Sequence, residues 1–105
     1  MSTDDSTLDR ALHAISDPTR RRILQTLKEN AATARRAGKP DEHASRLCAG
    51  DIETRIHLSQ PTISHHMSIL TKAGLVEAAK QGQWRWYRRN EKAIRQIVKT
   101  LRGKL

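Results

Sequence analysis

Ser59-Gln60-Pro61-Thr62-Ile63-Ser64-His65-His66-Met67-Ser68-Ile69-Leu70-Thr71-Lys72-Ala73-Gly74 is the stretch on which the fold turns. Ile63, Met67 and Leu70 recur at i, i+4 and i+7, the spacing that aligns one face of an α-helix. Ser59 suits the N-cap. Gly74 stands just past the last turn, where a left-handed residue is wanted. A helix over 60–73 is therefore expected. Upstream, Ile52 and Ile56 mark one face of a shorter helix over 49–56, with Asp51 and Glu53 near its positive end. Between the two, His57-Leu58 leave room only for a tight turn.

Downstream of Gly74 the apolar period changes from 3.6 to 2. Residues 75–79 and 84–89 read as two strands, and Lys80-Gln81-Gly82-Gln83 as the turn of a hairpin. Asn90 is a plausible N-cap for a last helix over 91–102, whose stripe is Ile94, Ile97, Val98 and Leu101. Toward the N-terminus, Leu8, Ala11, Leu12 and Ile15 give a short amphipathic helix over 6–15. Asp17-Pro18 then opens another helix over 18–30, because a capping carboxylate followed by proline at N1 suits a helix start. Apolar periodicity is lost over 31–46, read as a polar insertion. Its alanines favour helix by propensity, and Gly38-Lys39-Pro40 must break it. The expected fold class is mainly α with a small β-hairpin: a single winged helix-turn-helix domain over 1–105, dimeric through its terminal helices.

The chemistry follows from side-chain direction. With Ile63, Met67 and Leu70 turned inward, the opposite face carries Gln60, Thr62, Ser64, His65 and Ser68. These short, neutral hydrogen-bonding groups suit base edges in a major groove. An ordinary solvated face would instead carry long acidic and basic residues in i,i+4 pairs. No acidic residue occurs between Thr54 and Val76, so phosphate meets no repulsion along this run. The helix N-terminus at Ser59 adds backbone N–H donors. On the hairpin, Lys80, Gln83 and Arg85 make a cationic tip able to reach DNA backbone or minor groove. Trp86 and Tyr87 are expected to pack, and His66 to be a hydrogen-bonded packing histidine.

Composition agrees. The 105 residues carry 20 Lys/Arg against 11 Asp/Glu, a formal net charge of +9, which points to a polyanionic partner. The charge is uneven: residues 75–105 hold nine Lys/Arg and two Asp/Glu, whereas the first seventeen residues hold four Asp and one Arg. No apolar run approaches a membrane span and the N-terminus lacks a secretory pattern. With a single cysteine, Cys48, a cytoplasmic location is expected. Gly-rich phosphate loops, paired carboxylates in an apolar setting and a nucleophile–base pattern are all missing, so an enzyme is not expected. The rival readings are a winged helix used for protein interaction and a non-specific architectural DNA binder.

The segments Asp17-Pro18-Thr19-Arg20-Arg21-Arg22-Ile23-Leu24, Leu58 to Met67 and Ala73-Gly74-Leu75-Val76 closely resemble the ArsR family of winged-helix repressors, in the right order and spacing from about Leu8 to Tyr87. The resemblance implies a homodimer built from the first and last helices. It also implies Ser59, Gln60, Thr62, Ser64 and His65 at the major groove of double-stranded DNA, and repression relieved by a metal or another signal. Two apolar stripes on the terminal helices fit the dimer: Leu8, Leu12 and Ile15 would meet Ile94, Ile97 and Leu101 across a two-fold.

The pattern departs from the family at the sensor. A Cys-x-Cys pair would fall on Cys48-Ala49-Gly50, so the second thiol position is glycine, and one thiolate cannot build a soft-metal site. No histidine follows His66, which leaves His13, His43, Cys48 and His57 as scattered candidates. No metal site and no cofactor are expected. A ligand- or metal-responsive sensor of the same family stays the alternative.

Overall fold

The computed structural model describes residues 3–38 and 45–105. Its elements run α1 (Thr3–Ile15), α2 (Pro18–Arg36), β1 (Leu47–Cys48), α3 (Ala49–Ile56), α4 (Gln60–Lys72), β2 (Val76–Gln81), β3 (Trp84–Arg89) and α5 (Glu91–Lys104).

The core of this chain without phenylalanine is aliphatic but for Tyr87. Ile23 and Leu27 of α2, Ile52 and Ile56 of α3, and Ile63, Met67 and Leu70 of α4 meet in one cluster. Ala11 and Ala14 of α1 join it, as do Leu75, Val76 and Tyr87. Small residues on α1 let that helix approach closely.

The helix boundaries follow from local chemistry. Asp17 accepts from the Arg20 N–H at 3.0 Å, with Pro18 at the start of α2. That bond is the leading reason the Asp17 carboxyl is held below its ordinary pKa. At the end of α3, His57 takes a left-handed conformation (φ 63°) and compresses the connection to α4. Gly74 (φ 78°) ends α4: Leu75 N–H donates to Leu70 O at 3.1 Å and Gly74 N–H to Thr71 O at 3.0 Å. Together these bonds form a Schellman motif. Asn90 caps α5 by accepting from Ala93 N–H at 3.1 Å.

Three features differ from the sequence reading. First, α2 continues beyond 30 to Arg36, because the Ala-rich run keeps helical propensity and buries Ala34. The expected insertion over 31–46 therefore begins as helix; His43 and Lys39 lie outside the described residues. Second, the sheet has three strands in the order β1-β3-β2, with Leu47 opposite Tyr87 and Cys48 opposite Trp86. Third, the hairpin turn is tighter than four residues. Gln81 pairs with Trp84, leaving Gly82-Gln83 as the loop. Positive φ at Gly82 (60°) and not at Gln83 is the pattern of a type II′ turn.

The stripes of the terminal helices are partly used within the subunit. α1 and α5 pack against each other within one subunit, and Lys104 Nζ lies 2.9 Å from Asp5 Oδ1 at their joined ends. Leu8 is buried there, beside Ile97 at a small cavity, while Ile15, Ile94 and Ile97 pack on the subunit's own core. Leu12 (37% exposed) and Val98 (52%) are what the pair leaves open, with Leu101 half-buried. The stripe is thus divided between intrachain packing and a free face. Among the described residues, no helix is long and apolar enough to cross a membrane.

Candidate nucleic-acid interface

α4 is fixed by its inward face and offers its outward one. Ile63, Met67 and Leu70 are at most 1% exposed, whereas Ser59, Gln60, Thr62, Ser64, His65 and Ser68 are all exposed. Helical geometry produces that division from sequence spacing alone. The N-terminus of α4 keeps its donors unblocked. Ser59 has the extended backbone of an N-cap, yet its hydroxyl pairs with the Thr62 hydroxyl at 3.0 Å and not with a backbone N–H. Together with the absence of acidic residues in the first turn, this leaves the helix end suited to an anion.

The wing stands beside that helix end. Gln60 and Ser64 of α4, Lys80, Gln83, Trp84, Arg85 and Tyr87 of the hairpin, and Ala49, Gly50 and Glu53 of α3 line a cleft of about 650 Å³. A smaller cavity of about 180 Å³ continues along α4 between Ser64, Ser68 and Thr71 and the strand residues Ala78 and Arg85. Lys80, Gln83 and Arg85 are exposed and Tyr87 is buried, so strand alternation on β3 sends Arg85 and Tyr87 to the α4 side. Trp86 is half-buried. Trp84 is 57% exposed at the tip, an apolar surface set among cations.

All nine residues read from the sequence as DNA contacts thus lie on exposed surface, and five of them (Gln60, Ser64, Lys80, Gln83 and Arg85) share the cleft. Ser59, Thr62, His65 and Ser68 are not among its lining residues.

Two features escaped the sequence reading. Glu53 sits one residue outside the acid-free run but reaches the cleft from α3, where a carboxylate can accept from a cytosine amino group. Arg20 is buried at 7% exposure; its Nε donates to Ala14 O at 2.6 Å and a terminal nitrogen lies 3.2 Å from His66 Nδ1. Burial is the main reason the His66 ring is held below its ordinary pKa. The clue to Arg20 was its place directly after a helix break, where the preceding helix exposes carbonyls without partners.

At the sensor position, Cys48 is buried and precedes α3. Both its N–H (3.2 Å) and its thiol (3.1 Å) donate to Asp51 Oδ2. That arrangement caps a helix. Among the described residues no group of three or more His, Cys, Asp or Glu side chains is placed to hold a metal ion.

Comparison with known proteins agrees with this geometry. Residues 15–78 match the helix-turn-helix domain family HTH_20. The chain is 37% identical over 86 residues to an uncharacterised HTH-type transcriptional regulator of Methanocaldococcus jannaschii, covering 82% of this chain and 81% of the relative. It is 32% identical over 94 residues to the arsenical resistance operon repressor of Staphylococcus aureus, covering 90% and 76%. An ArsR-like transcriptional regulator from Rhodococcus sp. RHA1 superposes with a TM-score of 0.72 at 26% identity, over 93% of this chain and 78% of that one. The homodimeric winged helix-turn-helix DNA-binding domain of a possible ArsR-family regulator from Mycobacterium bovis has the same fold (TM-score 0.67, 20% identity, 99% and 87% covered). Sequence and fold together place this chain in the ArsR family of winged helix-turn-helix transcriptional regulators.

Proposed function

We propose that the protein is a homodimeric repressor that occupies a palindromic promoter site in the cytoplasm, reading bases with α4 and holding backbone with the wing. The observation that carries this reading is the exposed outer face of α4, free of acidic residues and flanked by Lys80 and Arg85. Gln60, Thr62, Ser64, His65 and Ser68 act at base edges, Ser59 and the helix N-terminus at phosphate, and Lys80, Gln83 and Arg85 from the wing. The exposed Leu12 and Val98 supply a self-complementary apolar face on the terminal helices. A relative named as a repressor and a neighbour described as homodimeric support the two assignments. A two-fold would set the α4 helices roughly 34 Å apart, one turn of DNA.

Selection of bound duplexes from a random pool tests the whole reading. A recovered palindrome with half-sites one turn apart is the expected result. Recovery of no consensus would favour a non-specific binder, and no DNA recovery at all would favour a protein-interaction module.

Single substitutions separate the two kinds of contact. Gln60→Ala is expected to cost about 1–3 kcal/mol on the selected site and to relax preference at one base step. Competition among single-base variants of the site measures this. Arg85→Ala should weaken binding to all sequences alike and reduce the slope of log affinity against log salt by about one. A sequence-selective loss in Arg85→Ala would move that residue from backbone to base contact.

A further inference from the structure

We propose that Arg20 and His66 form a polar clamp that positions α4 relative to the terminal helices, and that the clamp opens when His66 gains a proton. The inference rests on the DNA-reading function above and adds two positioning residues to it.

Arg20 stands in the first turn of α2, one of three consecutive arginines, yet it alone of the three is buried. Its Nε donates to Ala14 O at 2.6 Å, one terminal nitrogen donates to His13 O at 3.3 Å, and the other lies 3.2 Å from His66 Nδ1. A guanidinium carries only donors, so Nδ1 must accept and the ring proton sits on Nε2. One planar side chain therefore ties the last turn of α1 to the second turn of α4. Because α1 also packs on α5, the path joins the terminal helices to the reading surface through two side chains.

Protonation removes the accepting lone pair and sets an imidazolium against the guanidinium. Burial opposes the charged ring most; Asp17 at the α2 N-cap favours it, while Arg20 and His65 oppose it, and the ring ends below its ordinary pKa. The sign follows from linkage. An unfolded chain takes up this proton at a higher pH than the folded one, so the clamp is intact above the usual histidine range and weakens as pH falls below it.

General electrostatics predicts the opposite trend. Any proton gained by a basic DNA-facing surface adds positive charge and should tighten binding in acid. The direction of the pH profile therefore separates the two effects.

The experiment uses the full chain and the duplex recovered by selection, with affinity measured by fluorescence anisotropy at fixed ionic strength from about pH 7.5 to about pH 5.5. Wild-type affinity is expected to fall a few-fold, less than about tenfold, the limit for one proton on a ring held below its ordinary pKa, while His66→Asn, which cannot titrate, gives a flat or acid-tightened profile. Arg20→Met could fail to fold; His66→Asn removes only the titration and keeps the test decisive. Wild-type binding that stays flat or tightens in acid overturns the clamp, as does a decline that persists in His66→Asn. Wild type that binds no duplex even at the upper pH defeats the DNA-reading function itself.

Discussion

Val98→Asp is expected to sediment as a folded monomer at micromolar concentration and to lose about 10²–10⁴-fold in affinity for a palindromic duplex. Val98 is 52% exposed on α5 and Leu12 37% exposed on α1, the large apolar residues that these two helices leave uncovered. In a two-fold interface each substitution enters twice, so two aspartates would be brought together away from water. Burying unpaired charge costs several kcal/mol, more than a modest apolar face contributes. The subunit itself should tolerate the change, because an exposed position leaves the core intact. Ile97→Asp would be a poorer choice, since Ile97 packs on its own subunit's core and its loss would mix unfolding with dissociation. Sedimentation and circular dichroism on the same sample separate the two. A dimer that survives, or a monomer that still binds at full strength, would remove the symmetric arrangement from the account.

Ile63→Ala is expected to destabilise the protein by about 2–5 kcal/mol, read as a lowered urea midpoint at unchanged slope. Ile63 is 1% exposed and lies in the first turns of α4, where it enters the cluster formed with α2 and α3. Alanine there loses both the transfer energy of the removed methyl groups and the contacts around the cavity left behind. Its neighbours Thr62 and Ser64 are exposed, so alanine at either should change stability by no more than about 0.5 kcal/mol. That contrast at adjacent positions is the informative result. Comparable losses at all three would mean that α4 is held by more than its inward face.

The helix-turn-helix was legible because each of its signals is local: period, cap, turn and terminal glycine all lie within one stretch. Ser59, Gln60 and Gly74 could be placed without knowing any distant contact. β1 was not legible, since two residues have no period and Leu47-Cys48 become a strand only by pairing with β3. The end of α2 was misread for a related reason. An Ala- and Arg-rich run has no apolar stripe, and the burial of Ala34 depends on what packs beside it. Arg20 was hidden because its partners are mainly backbone carbonyls, which carry no residue signature. The terminal stripes show a different limit. Periodicity reports that Leu8, Leu12, Ile94 and Ile97 avoid water, and the fold decides which of them their own subunit covers.

The short strand Leu47–Cys48 has a mechanical consequence. By pairing with the central strand β3 immediately before Ala49, it fixes the point at which the chain re-enters the fold after the preceding polar span. A change in the number of residues before that point is therefore expected to leave the preferred operator unchanged, as the base preferences recovered by selection would report.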